Sequence, residues 1–264
     1  MMDWIELDDT SLRFELTGRG DRTLVLVHEM GGTLDSWDQV MPTLTEGRRV
    51  LRFDWRGAGM SEKLRATPTF DLLADDIAAL LDALGIAGKV ALAGCAVGAG
   101  IALNFALSHR DRVAAVIAMG PATGVAPDRR EATLARAAAV EAAGPRGIVD
   151  QSFAASYPEV VRYDSDQFRR FRARWLANDP ESFAAINRML ADSTLTGKLS
   201  GVTCPVLLLA GVHDPLRPPS AIEPLAAELP NARFRALETG HFMAVQTPGI
   251  VAEAMVGFLR ELGL

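Results

Sequence analysis

Val90-Ala91-Leu92-Ala93-Gly94-Cys95-Ala96-Val97-Gly98-Ala99-Gly100 decides how this chain folds. Its first half is an unbroken apolar run, the pattern of a strand buried on both faces of a parallel sheet, and predicts a strand over residues 89–94. Its second half opens a helix over residues 97–108. Two glycines, Gly94 and Gly98, bracket the sharp turn between them, where the missing side chains let strand and helix backbones approach. Gly100, Ala99 and Ala102 extend this small-residue contact face. The residue at the apex is Ala96.

Working outward, strand and helix alternate. Upstream, residues 24–28 and 50–54 read as buried strands, and residues 70–84 as a helix whose apolar positions are Leu72, Leu73, Ile77, Leu80, Leu81 and Leu84, ended by Gly85. Shorter strands are expected at residues 4–7 and 12–17, and a helix at 36–44. Downstream, strands are expected at 113–119, 206–209 and 231–237, with a closing helix at 250–262. Such alternation argues for a doubly wound, mostly parallel sheet with right-handed crossovers.

Residues 124–200 break the alternation. They hold no convincing buried strand, only helical patterns at 129–143, 148–156, 165–177 and 180–191. The Ala-rich run at 132–143 reads as ordinary helix. An insertion of this size between two core strands reads as a helical cap, giving a core domain of residues 1–123 and 201–264 and a cap subdomain of residues 124–200.

The chain has 264 residues, 49% hydrophobic and 23% charged, with a net charge of −6. That balance supports a large core and gives no reason to expect nucleic acid or an anionic membrane surface as partner. No basic segment followed by an apolar one opens the sequence, and no run approaches the roughly 18 apolar residues of a membrane span, so a soluble, cytoplasmic protein is expected. The two cysteines, Cys95 and Cys204, suggest neither a disulfide framework nor a metal site.

Four further motifs follow in order. Strand 24–28 runs into His28-Glu29-Met30-Gly31-Gly32. Asp54-Trp55-Arg56-Gly57-Ala58-Gly59-Met60-Ser61 follows the next strand. Val206-Leu207-Leu208-Leu209-Ala210-Gly211-Val212-His213-Asp214-Pro215 ends a buried strand in Gly-x-x-Asp. Leu237-Glu238-Thr239-Gly240-His241-Phe242 follows the last strand as Gly-His.

Together with the Gly-x-x-x-Gly elbow, these motifs resemble the α/β-hydrolase family over essentially the whole length. The resemblance implies an eight-stranded, mostly parallel sheet flanked by helices, with a helical cap inserted between two core strands. It places Ala96 in the nucleophile position, Asp214 as the acid and His241 as the histidine of a triad, with the backbone N–H groups of Met30 and Val97 as oxyanion donors. It gives the Asp54–Ser61 turn a bracing role, in which Trp55 reads as a packed aromatic. Glu29 departs from the family's usual glycine, and its carboxylate is unfavourable near an oxyanion unless turned away. Of the other histidines, His28 belongs to the oxyanion loop, His213 reads as a surface residue and His109 as a helix end.

Alanine cannot be a nucleophile, and Cys95, one residue early, points elsewhere in this turn. Three readings follow. The chain is a disarmed variant of a serine hydrolase, a natural His–Asp dyad enzyme without cofactor (lyase or dioxygenase type), or a non-catalytic small-molecule receptor of the same fold. The retained acid, histidine and oxyanion loop favour the first, since a long-idle site has no reason to keep them. Within the family the resemblance is to 3-oxoadipate enol-lactonases and small carboxylesterases, carried also by Asn178-Asp179-Pro180-Glu181-Ser182-Phe183 and Thr203-Cys204-Pro205-Val206. It implies a small ester or lactone as substrate and neither metal nor organic cofactor. Trp175 and Phe242 are candidate pocket residues, with packing an equal reading for both, and Arg162, Arg170, Arg174 and Arg188 are candidate cations beneath the cap, against the ordinary reading of solvated helix faces. Oligomeric state is not readable from the sequence.

Overall fold

Side chains along each central strand divide between two cores. Val25 and Val27 face one and Leu24 and Leu26 the other; Leu92 opposes Ala91 and Ala93; Val206 and Leu208 oppose Leu207 and Leu209. Burial on both faces is why these strands carry apolar runs and not polar alternation. The structure, a computed structural model, describes residues 2–264.

In chain order the elements of the first half are β1 (Met2–Glu6), β2 (Ser11–Gly18), β3 (Thr23–Val27), α1 (Met41–Leu44), β4 (Arg49–Phe53), α2 (Phe70–Ala83), β5 (Val90–Cys95), α3 (Val97–Ser108) and β6 (Val113–Met119). Four helices occupy the long β6–β7 connection: α4 (Arg130–Ala143), α5 (Val149–Ser156), α6 (Ser165–Leu176) and α7 (Pro180–Asp192). The chain ends with β7 (Val206–Gly211), α8 (Pro219–Ile222), β8 (Ala232–Leu237), α9 (Met243–Gln246) and α10 (Pro248–Glu261).

The sheet has eight strands in the order β1-β2-β4-β3-β5-β6-β7-β8. β1 and β2 pair antiparallel, β2 joins β4 antiparallel, and all other pairs are parallel. The expected mostly parallel sheet is therefore present. From β3 the chain steps outward to β4, then returns to the other side of β3 to lay down β5. The crevice between the carboxyl ends of β3 and β5 is thus a topological switch point, where open α/β sheets bind ligands.

One expectation fails. The helix predicted over 36–44 is a 3-10 turn, Leu34–Trp37, followed by the single-turn α1. Pro42 supplies the reason: it lacks an N–H and its ring would clash with the carbonyl of Asp38, so a continuous helix cannot pass through it. The sequence reading also omitted the short α8 and α9, each four residues long.

The four inserted helices begin and end within two residues of the predicted bounds. Asp164 and Asp179 cap α6 and α7 through side-chain bonds to backbone N–H groups. A third core, distinct from the two flanking the sheet, gathers Val140, Phe153, Tyr157, Phe171, Trp175 and Phe183 from these helices and adds Phe242 and Val245 from the sheet domain. At the base of the insertion, Gly124 bridges Thr194 and Leu195 N–H donates to Thr123 O at 2.8 Å. No described helix is long and apolar enough to cross a membrane.

Candidate active site

The elbow and the segments after β3, β4, β7 and β8 all emerge at the carboxyl edge of the sheet. The elbow is the most constrained. Ala96 has φ 52° and ψ −112° and is the one non-glycine residue with positive φ among those described. A non-glycine residue held there costs about 1–3 kcal/mol, strain that persists only where surroundings impose it. Those surroundings are visible. Ala96 N–H donates to Met119 O at 2.8 Å, and its carbonyl accepts from Ala122 N–H at 2.9 Å and Gly100 N–H at 3.2 Å. A Cβ on Gly94 would lie 2.3 Å from Gly98 O, and one on Gly98 would lie 2.2 Å from Val27 O. Both clash with backbone, which cannot step aside.

The Gly98 contact also joins the elbow to the loop after β3, since that same Cβ would lie 2.4 Å from His28 O. Parallel pairing of Val27 with Gly94 sends the two segments out side by side. Met30 and Val97 therefore flank the switch-point crevice. Val97 is the first residue of α3, so its N–H is one of the donors a helix leaves without an internal partner.

The acid and the histidine meet. Asp214, 1% exposed, follows β7, and His241 follows β8. His241 Nδ1 lies 2.7 Å from Asp214 Oδ2, while Asp214 Oδ1 accepts from the N–H groups of Leu216 at 2.9 Å and Arg217 at 3.0 Å. Burial alone would raise the Asp214 pKa, but the His241 charge and hydrogen bond and these backbone donors hold it below the usual carboxylate value of 3.8. An ionised Asp214 only accepts, so Nδ1 carries the proton and Nε2 is left as the basic atom. Cys95 Sγ lies 3.4 Å from His241 O, which sets the histidine beside the elbow. Burial pushes the Cys95 thiol well above its ordinary range, so Cys95 is packing and not a replacement nucleophile.

Glu29 is turned inward. Its carboxylate accepts from Ser36 Oγ at 2.7 Å and fills the space over Gly32. Asp54 performs the bracing role: Oδ1 accepts from Leu34 N–H at 2.7 Å and Oδ2 from Met60 N–H at 2.8 Å. Trp55 is buried, stacks on His28 with centroids 5.1 Å apart, and donates Nε1–H to His28 O at 3.1 Å. His109 pairs with Asp75 and His213 with Glu238, both on the surface.

The two candidate pocket residues are packed. Trp175 is 2% exposed, its indole against Gly31, and Phe242 lies 4.8 Å from Phe171 between ring centroids and edge-on to His241 at 5.5 Å. Among the candidate arginines, Arg188 pairs with Glu141, and Arg162 is spent on Tyr157 O at 2.8 Å and the Phe168 ring. Arg170 and Arg174 line an open groove of about 410 Å³ between α6 and the Asp35–Gln39 turn. The sequence reading passed over Arg136, whose register with Ala137 and Val140 on α4 marked it as a cation on an otherwise buried stripe.

A strained elbow at the switch point thus shares the carboxyl edge of the sheet with an Asp–His pair that follows the last two parallel strands. The alpha/beta hydrolase fold family matches residues 22–248. The chain belongs to that family. RutD of Caulobacter vibrioides, a proposed carbamate hydrolase, is 31% identical over 94% of this chain and 95% of its own length. The 3-oxoadipate enol-lactonase 1 of Acinetobacter baylyi is 25% identical over 90% of this chain and 89% of its own. Among solved structures, a thermophilic esterase from Thermogutta terrifontis superposes with a TM-score of 0.91 at 28% identity, covering 99% of both chains. The enol-lactonase of Burkholderia xenovorans has the same fold, with a TM-score of 0.91 at 22% identity and coverage of 98% of this chain and 100% of that one.

Proposed function

We propose that this chain is the scaffold of a Ser-His-Asp acyl-transfer hydrolase for a small carboxylic ester or lactone, disarmed by alanine at the nucleophile position. The observation that carries it is the Ala96 backbone. A strained φ of 52° has no use for a methyl group, yet the turn retains it beside an intact Asp214–His241 pair. The esterase and lactonase relatives support the substrate class.

In the serine form, His241 Nε2 takes the proton of the residue 96 hydroxyl as its oxygen attacks the carbonyl carbon. The N–H groups of Met30 and Val97 hold the oxyanion. His241 then returns the proton to the leaving alkoxide and activates water for deacylation. Asp214 fixes the imidazole orientation and stabilises its charged form. Residues 124–200 act as a cap over this site, with Trp175 and Phe242 shaping its wall. As it stands, the chain binds substrate, while loss of the nucleophile lowers the rate by about 10⁴–10⁶-fold.

The test compares this chain with Ala96→Ser on short-chain aryl esters, lactones and carbamates. Activity gained by orders of magnitude, with an acyl-enzyme of the expected mass on residue 96, is the expected outcome. A serine form no more active than the parent overturns the reading. Activity already present in the parent and abolished by His241→Ala would assign the chain to the His–Asp dyad class instead.

A further inference from the structure

Met30 sits between two anchored carbonyls, Glu29 O and Gly31 O, and different parts of the chain anchor them. On the sheet side, Glu29 O accepts from Gly32 N–H at 3.0 Å and from His28 Nδ1–H at 2.8 Å. In a planar trans peptide the carbonyl and the N–H that follows it point in opposite directions. Anchoring Glu29 O therefore turns the Met30 N–H away from these two donors, and no backbone carbonyl of a described residue accepts from it.

Beyond Met30 the loop has little stiffness of its own. Gly31, at φ 84°, and Gly32 follow, and two glycines in a row leave a backbone many conformations. The restraint comes from the inserted helices. Asn178, two residues past α6, donates Nδ2–H to Gly31 O at 3.0 Å; the same nitrogen donates to Trp175 O at 2.9 Å and lies 3.4 Å from Arg174 O. The Trp175 indole covers Gly31 so closely that a Cβ there would come within 2.3 Å of the ring. The Met30 side chain packs against the aromatic core of the insertion, with Asn187 Nδ2 3.7 Å from its sulfur. Trp175 and Asn187 are both 2% exposed, so these contacts belong to a packed interior.

We propose that Asn178 is a positioning residue for the oxyanion donor: by tying Gly31 O to the end of α6 it fixes the direction of the Met30 N–H. The inserted helices then complete the oxyanion hole as well as covering it. The inference rests on the acyl-transfer reading for what the donor stabilises, but not for how the loop is held. A side-chain amide suits the task, since its two N–H groups lie in one plane, one for Gly31 O and one for the α6 carbonyls. Aim matters because a hydrogen bond weakens steeply as its angle closes.

The test variant is Asn178→Ser, whose hydroxyl can still bond back to the α6 carbonyls but is too short to reach Gly31 O. In the Ala96→Ser form, with 4-nitrophenyl butyrate, it should lower kcat by about 10-fold, less than the 10²–10³ lost when an oxyanion donor is deleted, and leave KM within about 3-fold. Binding of an aryl trifluoromethyl ketone, whose adduct with the residue 96 hydroxyl carries the oxyanion, should weaken by the same factor as kcat. A loss in KM alone, or unchanged inhibitor binding, overturns the inference. The second measurement needs no nucleophile. Hydrogen exchange of the chain as it stands reads the Gly32 amide, which is bonded to Glu29 O inside the loop. Asn178→Ser, with Asn178→Ala beside it, should speed that exchange by about 3–10-fold, the loss of one ordinary hydrogen bond, while the β5 amides keep the parent rate. Faster exchange at Gly32 with a serine form that hydrolyses nothing supports the clamp, and the acyl-transfer reading alone fails. Exchange at the parent rate in both variants, or a rise that includes β5, overturns the clamp even if the serine form is an active esterase.

Discussion

The elbow and the aromatic core of the inserted helices are built by opposite means. The elbow is built from residues with almost no side chain: Gly94, Ala96, Gly98 and Gly100 place backbone against backbone, and the strain at Ala96 is contained by three hydrogen bonds to its peptide groups. The insertion is built from large rings, Phe153 touching Tyr157, Phe171, Trp175 and Phe242 at centroid distances of 5.5–6.2 Å. Backbone contacts have one solution. Ring contacts have many, because rotamers and helix tilt can trade one neighbour for another. The difference teaches why a family can keep its chemistry and change its substrate.

The sharpest break of this contrast is chemical. In the Ala96→Ser background, Asp214→Asn should lower kcat by about 10⁴-fold, because an amide holds the imidazole in the wrong tautomer. Steady-state kinetics on one aryl ester measures it, and a loss below tenfold would remove Asp214 from the triad. Next in size is Gly98→Val, whose Cβ meets Val27 O. It should destabilise the protein by more than about 3 kcal/mol in denaturant unfolding, as overpacking against backbone does. Gly257→Ala, on an open face of α10, should instead stabilise by about 0.5–1 kcal/mol.

Phe153→Ala should cost about 3 kcal/mol or somewhat more if its cavity stays open. The contrast predicts that in the serine form this change alters KM more than kcat, since Phe153 touches no part of the dyad or the elbow. A kcat loss equal to that of Asp214→Asn would show that the two regions are not separable.

A further effect is set by pH. His28 is fully buried, with Nδ1 2.8 Å from Glu29 O and Nε2 without a partner among the described residues. Burial lowers its pKa below the ordinary 6.5, against the opposing pull of Asp54 and Glu29. The unfolded chain therefore takes up a proton that the folded one resists. The stability His28 confers is complete above pH 6.5 and is lost as pH falls through its folded pKa, at up to about 1.4 kcal/mol per pH unit. Urea unfolding at pH 5 and 7 should show a shallower pH dependence in His28→Gln than in the parent.

The elbow, the Asp–His pair and the mostly parallel sheet were legible because each depends on residue types at fixed local spacing. The expected 36–44 helix is absent because Pro42 cannot continue a helix through its preceding turn. For Trp175 and Phe242 the sequence left lining and packing both open, and their burial decides for packing. Arg136 was passed over among many cap arginines because charge alone does not reveal which side of a helix lacks a partner.

What the sequence by itself determined is the sheet and its chemistry. Glycines demanded by close backbone approach and apolar runs demanded by two-sided burial leave few alternatives. What only the tertiary structure decided is which side chains the inserted helices turn toward that edge. That choice depends on packing between segments far apart in the chain, such as Arg136 with Phe183 and Trp175 with Gly31, and no local spacing encodes it.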